Sequence, residues 1–418
     1  MQPEKVFKRY DIRGKYPEEL NEKFAEKLGK SVGTFIQRND GSTAVVCRDT
    51  KETSESMKSS LISGVRSTGV DVIDAGEGPT DYTAFAGNQK DSVSIQVTSS
   101  HMAADFNGFK FMYPEGNGFK NPDLNKLKKL FRSESFENGE GGLSEENMHS
   151  VYLDEAEKFL NQFDLDFSDN ITFDTLKGAS MLKELLERLD TDFKKIEREE
   201  MPDPPNPKPE LLDELKARTE DIGFANDLDA DRVTVYYNDR FLTGNELVGV
   251  FAQLFEGDLV ASADTSEALK QVNDGEIFFT RVGDPFVMAR ALEEDVNFAA
   301  EPNGHYAFPD FISYSSGTVA AALLAGIDLE AYLEKVPYVE FRRESFSVDE
   351  KEEVMEKIGE LASEFDLISD IDGYKVSDGE CMVLARASGS SSKVRLVGES
   401  KTGNFELMKS LIDLLEKC

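Results

Sequence analysis

The chain has 418 residues, 39% hydrophobic and 10% aromatic, which is more than one hydrophobic core normally organises and enough apolar material for several. Acidic residues outnumber basic ones 81 to 47 and the formal net charge is −34; a field of that sign repels nucleic acid and acidic lipid, so an anionic ligand must be met by cations placed locally. No run approaches the roughly 18 to 20 apolar residues of a membrane span, the opening MQPEKVFKRYDIRG has no apolar signal-peptide centre, and Cys47, Cys381 and Cys418 lack the spacing of a metal cluster or disulfide framework. A soluble cytoplasmic protein of three or four domains is expected.

In chain order, Leu20, Phe24, Leu28, Val32, Phe35 and Ile36 recur mostly three and four residues apart within 17–38, one apolar face of a helix. Ala44-Val45-Val46-Cys47 reads as a strand running into Arg48-Asp49-Thr50, and Met57, Leu61, Ile62 and Val65 mark a second helix. The same pattern returns at 171–175 before Leu182, Leu185 and Leu186, and at Leu259-Val260 through Asp264-Thr265 before Ala268 and Leu269. Three Asp-Thr pairs, each closing a strand and opening a helix, point to three similar α/β domains, although Asp and Thr are also ordinary helix caps. Residues 133–142 are polar and glycine-rich, as a linker is, and the proline-rich 202–209 reads as a stiff, extended connection within the second unit. From about Phe341 a helix-rich, charged stretch ahead of Asp372-Gly373-Tyr374-Lys375 reads as a separate C-terminal domain.

Four loops could carry chemistry. An alternating strand, Val93-Ser94-Ile95-Gln96-Val97, ends in Thr98-Ser99-Ser100-His101 and continues into Asn107-Gly108-Phe109-Lys110. A hydroxyl with a histidine and a lysine nearby suits a nucleophile, which needs such help; alternatively Ser99 and Ser100 cap a following helix. In Asn226-Asp227-Leu228-Asp229-Ala230-Asp231-Arg232 alternating carboxylates can converge on one hard cation. Counted from Asp227, position 6 is Arg232 and position 12 is Asn238, which rules against an EF-hand; an acidic turn is the plain alternative. Glu301, Asn303 and His305 can exchange hydrogen bonds with sugar hydroxyls, or simply with one another. Arg386-Ala387-Ser388-Gly389-Ser390-Ser391-Ser392-Lys393 offers a guanidinium, hydroxyls and glycine backbone to a phosphate, or forms a flexible turn.

Together and in this order, these loops resemble those of the α-D-phosphohexomutases, the phosphoglucomutase and phosphomannomutase family. Tyr10-Asp11-Ile12-Arg13-Gly14 is similar to that family's opening signature, Thr98 to His101 with Asn107 to Lys110 to its phosphoserine loop, and Asp227 to Arg232 to its Asp-x-Asp-x-Asp-Arg metal loop. Pro205-Asn206-Pro207 precedes the metal loop as in the family, and Thr280-Arg281-Val282-Gly283-Asp284 is similar to its Thr-x-Val-Gly-Asp turn. Glu301 to His305 resembles its sugar loop and Arg386 to Ser390 its phosphate loop. The chain departs at Met102-Ala103-Ala104, where the family has Asn-Pro-Pro, at Ala300 and Cys47 for Gly, and at Ser391-Ser392 for Glu-Pro.

The resemblance implies four domains around a central cleft: three related α/β domains with mixed sheets over residues 1–135, 136–236 and 237–338, and a smaller α+β domain over 339–418. It implies a mutase that exchanges phosphate between the 1- and 6-oxygens of glucose or mannose through phosphorylated Ser100 and a hexose 1,6-bisphosphate, which also serves as activator. Phosphoglucosamine mutation and non-catalytic binding of sugar phosphate are the alternatives. Magnesium would sit on Ser100, Asp227, Asp229 and Asp231, and His101, Lys110 and Arg232 would assist transfer. Tyr10, Arg13, Arg281, Gly283, Asp284, Glu301, Asn303, His305, Arg386, Ser388, Gly389 and Ser390 would bind the sugar phosphate. The partner is that small molecule, not nucleic acid or membrane, and the protein is expected to be a monomer or homodimer.

Overall fold

The structure, a computed structural model, describes residues 3–168, 170–389 and 392–417; Ser390, Ser391 and Cys418 lie outside the described residues. Among these residues there are four sheets. The first joins β1 (Ile12–Lys15), β2 (Thr43–Arg48), β3 (Asp71–Glu77), β4 (Val93–Val97), β5 (Phe106–Met112) and β6 (Leu143–Glu145) in the order β1-β5-β4-β2-β3-β6. The second joins β7 (Ile171–Asp174), β8 (Phe193–Lys195), β9 (Ile222–Asn226), β10 (Val233–Tyr237) and β11 (Arg240–Phe241) as β11-β10-β9-β7-β8. The third joins β12 (Leu259–Ser262), β13 (Ile277–Thr280), β14 (Ala299–Glu301), β15 (His305–Phe308) and β16 (Ile312–Ser315) as β13-β12-β14-β15-β16. The fourth joins β17 (Glu340–Ser347), β18 (Asp366–Ser369), β19 (Tyr374–Ser377), β20 (Cys381–Ala387) and β21 (Lys393–Ser400) as β17-β21-β20-β19-β18.

One pattern underlies the first three sheets. A central strand, β2, β7 or β12, has a parallel neighbour on each side, and one of these neighbours turns back into an antiparallel strand. Each Asp-Thr pair closes the central strand, so the sequence repeat marks a structural one. The fourth sheet is wholly antiparallel.

Strand alternation explains where the cores sit. Along β2, Ala44 and Val46 point into a core under the helices Glu22–Arg38 and Glu52–Arg66, while Val45 and Cys47 point into a larger core shared with the second and third sheets. The helix Glu22–Arg38 starts where Asn21 accepts a hydrogen bond from Phe24 N–H, and it buries the apolar face read from its spacing. The fourth sheet packs a core of its own, around Val383, Leu396 and Met408.

Three local expectations change. The turn after Asp264-Thr265 is a 3-10 helix, Glu267–Gln271, because the chain must return to β13 through Asn273-Asp274-Gly275 within a few residues. The C-terminal unit opens with a strand, β17, at a sheet edge, where Arg342, Arg343 and Glu344 are all exposed. The glycine-rich linker is pinned: Gly139 N–H and Gly141 N–H donate to Ser67 O and Arg66 O, and it leads into β6 of the first sheet. Cys47 and Cys381 are free and buried, and no described helix is long and apolar enough to cross a membrane.

Candidate active site

The three related sheets put three loops in one topological place, the turn from the outer parallel strand into its antiparallel neighbour. β4 to β5 carries Ser100, β9 to β10 carries Asp227, Asp229 and Asp231, and β14 to β15 carries Glu301, Asn303 and His305. Because β5 follows directly, Ser99 and Ser100 cap no helix. Ser100 has φ +49°, a strained region for a residue with a side chain, held by Ser100 N–H donating to Thr98 Oγ1 at 2.8 Å. Ser99 N–H donates to buried Asp49 Oδ2 at 3.0 Å.

Ser100 Oγ lies 3.1 Å from His101 Nδ1 and 3.4 Å from Asp227 Oδ2. Arg232, burial and Arg13 push the His101 pKa far down, so its imidazole is neutral and a weak base. The three aspartates are buried, and each offers an oxygen within 4.8 Å of the others. Burial, Asp231 and Asp229 raise Asp227 well above the carboxylate range. At Asp231 the cations Lys110, His305 and Arg232 outweigh burial and hold it well below that range. Asp229 Oδ2 accepts from Lys110 Nζ at 2.6 Å and Thr80 Oγ1 at 2.8 Å, and Lys110 also pairs with Asp231. Asp229 Oδ1 and Asp231 Oδ1 are buried with no hydrogen-bond partner, although His305 Nε2 approaches the latter to 3.4 Å. Converging carboxylates with orphaned inner oxygens fit a divalent cation.

Glu301 Oε1 accepts from Gly283 N–H at 2.7 Å, which ties the sugar loop to the turn that carries Arg281 and Asp284. Asn303 Oδ1 accepts from His305 Nδ1 at 2.8 Å. Burial opposes charge on His305, but Asp231 prevails and raises its pKa to about 9. His305 Nε2 also lies 3.2 Å from Arg232 Nε; a proton on Nε2 favours the Asp231 contact over the guanidinium. Burial raises Asp284 to about 6, and its Oδ1 accepts from Ser315 Oγ at 2.6 Å.

Tyr10, Arg13, His101, Lys110, Asp231, Arg232, Gly283, Asp284, Glu301, Asn303, His305, Arg386, Ser388 and Gly389 all line one cavity of about 670 Å³. Ser100, Asp227 and Asp229 lie directly behind its wall. Arg281 is outside it, half-exposed, with Nε 3.4 Å from Asp372 Oδ1. The sequence reading missed Asp372 as a site residue: it also accepts from Val282 N–H at 3.2 Å and lies 3.4 Å from Arg386 Nη1, so it joins the third and fourth units. It missed Arg343 and Arg395 in the cavity wall as well. Arg395 sits across the strand pair from Arg386, and burial and Arg386 lower its pKa. Like charges placed opposite repel unless an anion lies between them, and an arginine on each side of a Ser/Gly turn was the available signal. A second cavity, of about 840 Å³, shares Lys8, Arg9, Arg13, Ser388 and Gly389 with the first and adds Lys5, Lys15 and Lys351, with Glu19 as its carboxylate.

Residues 4–138 match the family model for phosphoglucomutase/phosphomannomutase, alpha/beta/alpha domain I, and residues 243–335 that for alpha/beta/alpha domain III. A phosphoglucomutase/phosphomannomutase of Thermococcus kodakarensis is 30% identical, with 99% of each chain covered. A probable phosphoglucosamine mutase of Methanothermobacter thermautotrophicus is 29% identical over 95% of this chain and 94% of its own. The crystal structure of a phosphoglucomutase/phosphomannomutase family protein from Burkholderia thailandensis superposes with a TM-score of 0.87 at 24% identity, covering 100% of this chain and 97% of that one. The chain belongs to the phosphoglucomutase/phosphomannomutase family of α-D-phosphohexomutases.

Proposed function

We propose that the chain interconverts hexose 1-phosphate and hexose 6-phosphate, of glucose or mannose, with Ser100 as the phosphoryl carrier. The carrying observation is the convergence of Ser100 Oγ, neutral His101 and the aspartate cluster at the wall of a cavity that is also lined by Arg386, Ser388 and Gly389. A phosphate bound at Arg386 leaves the opposite end of the sugar facing Ser100, and a bisphosphate that turns around presents its other phosphate to the same serine. In each transfer a sugar hydroxyl oxygen forms the new bond to phosphorus as the bond to Ser100 Oγ breaks. Over the step the hydroxyl proton replaces the phosphoryl group on Ser100 Oγ, and His101 Nδ1, 3.1 Å from that oxygen, orients it for the exchange. Lys110 and Arg232 face the charge that develops on the transferring group. Glu301, Asn303 and His305 meet sugar hydroxyls, and Tyr10, Arg13, Gly283 and Asp284 complete the walls, with Arg281 outside them beside Asp372. Asp227, Asp229 and Asp231 would hold magnesium, with Ser100 as a further ligand; bound there, the ion neutralises phosphoryl charge.

The division into domains at about 135, 236 and 338 is part of this reading, although β6 carries the first sheet on to residue 145. Phosphoglucosamine mutation is the second reading, favoured by the 29% identical relative. Purified protein offered glucose, mannose and glucosamine 1-phosphates, with magnesium and a trace of the matching 1,6-bisphosphate, tests both: glucose or mannose phosphate turns over fastest without release of phosphate. A preference for glucosamine phosphate moves the assignment to the second reading, and release of phosphate in place of isomerisation defeats the mutase.

A further inference from the structure

The loop that carries Ser100 is long, half-exposed from His101 to Ala103 and exposed at Ala104 and Asp105, and its centre is Met102-Ala103-Ala104, which imposes little on the backbone. Met102 N–H donates to Ser99 O, Phe106 N–H to Ala103 O and Tyr16 N–H to Asp105 O, and two charged side chains from elsewhere add to these. Lys51, just before the helix Glu52–Arg66, donates from Nζ to Ala104 O and to Phe106 O, both at 2.5 Å. Asp203, in the proline-rich connection of the second unit, accepts Ala104 N–H on Oδ1 at 2.7 Å. Lys51 is itself anchored, since its N–H donates to Asp49 Oδ1 at 3.0 Å and the other oxygen of that carboxylate accepts Ser99 N–H. Asp49 therefore holds the loop at its start, and Lys51 and Asp203 hold it at its end.

We propose that Lys51 and Asp203 are positioning residues that clamp the loop from two domains, fixing the strained Ser100 against the aspartate cluster where stiffening prolines are absent. This rests on Ser100 being the phosphoryl carrier. A side chain at φ +49° stays put only when its flanks are over-determined, and Ala103 and Ala104 alone do not supply that. With the ammonium removed, two carbonyl oxygens lose their donor and the loop opens toward water, which competes with the sugar for the seryl phosphate.

The test compares wild type, Lys51→Met, Lys51→Arg and Asp203→Ala in the full chain, after phosphorylation with glucose 1,6-bisphosphate. In Lys51→Met kcat should fall about tenfold or more with KM within a factor of two. The phosphate on Ser100 should be lost to water several-fold faster, and the melting temperature should stay within a few degrees. Lys51→Arg, which keeps two N–H donors, should recover most of the rate, and Asp203→Ala should shift hydrolysis in the same direction by less. Wild-type phosphoenzyme lifetime and kcat in both Lys51→Met and Asp203→Ala would overturn the clamp. So would a loss in Lys51→Met that follows melting temperature alone and leaves phosphate loss per folded molecule unchanged. Wild type that never takes phosphate on Ser100 would instead overturn the carrier role.

Discussion

The serine loop and the metal loop occupy the same turn of two related sheets and differ in length, in burial and in the groups that tie them from outside. The metal loop is short and buried, and backbone groups hold it: Asp227 O accepts Ala230 N–H within it, Leu228 O, Asp229 O and Ala230 O accept the N–H groups of Ala179, Thr80 and Gly317, and Asp227 Oδ1 accepts Arg232 N–H at 3.3 Å. Gly178 packs against it so closely that a Cβ there would lie 2.6 Å from Leu228 O. The serine loop is longer, with Met102 N–H donating to Ser99 O and Phe106 N–H to Ala103 O inside it, and its outside ties come mainly from the side chains of Asp49, Lys51 and Asp203. The difference teaches that a repeated topology fixes where a loop emerges, while its chemistry decides how it is held. Ser100 and the three aspartates are alike buried, but the serine loop meets water along its flank from His101 to Asp105 while the metal loop does not from Asp227 to Asp231.

Substitutions can break that contrast. Ser100→Ala should reduce mutase turnover to background, below about 10⁻⁴ of wild type, because no other group replaces the carrier. Unfolding stability should change by no more than about 1 kcal/mol, since Ser100 Oγ makes only the contacts to His101 and Asp227. Phosphopeptide mapping that finds the phosphate only on Ser99 would move the carrier.

Asp229→Asn keeps the shape of the metal loop and removes one charge. The rate should fall at least ~100-fold, about 2.7 kcal/mol in the barrier, with higher magnesium needed for half-activation. If the three aspartates were only an acidic turn in a chain at −34, the change would leave the rate near normal and relieve repulsion.

Elsewhere in the cavity wall Arg386→Gln should raise KM for the sugar phosphate by about 30-fold, roughly 2 kcal/mol of charge-assisted hydrogen bonding, with a smaller change in kcat. An unchanged KM would show that Arg343 and Arg395 hold the phosphate without it. The smallest effect is expected at Thr80, which ties the first sheet to the metal loop through its N–H to Asp229 O and its hydroxyl to Asp229 Oδ2. Thr80→Val should weaken manganese binding, read by electron spin resonance, by about five- to tenfold, near 1 kcal/mol for one buried hydrogen bond. Thr80→Ser should not.

Much of this was legible in the sequence, for identifiable reasons. Asp49-Thr50, Asp174-Thr175 and Asp264-Thr265 mark the repeat because each sits where a central strand must stop. The four loops stood out because their chemistry is contiguous: three aspartates in alternation, or a serine beside a histidine. Asp372, Arg395, Thr80 and Lys51 did not stand out, since each acts on a partner far along the chain and looks locally ordinary. The pairing of Arg386 with Arg395 appears only once β20 and β21 are in register, and nothing in Met102-Ala103-Ala104 names the lysine that holds it.

The lysine-rich second cavity has a consequence for how substrate arrives. Far from the surface a dianionic sugar phosphate feels a body of −34 and is turned away, whereas at Lys5, Lys8 and Lys15 it meets cations. The two fields reach different distances, and at about 0.15 M salt the Debye length is only about 8 Å. Salt therefore removes the long-range repulsion before it removes the short-range pull. Encounter should be fastest at an intermediate ionic strength, where the like-charged halo is screened and the cations at the mouth still act.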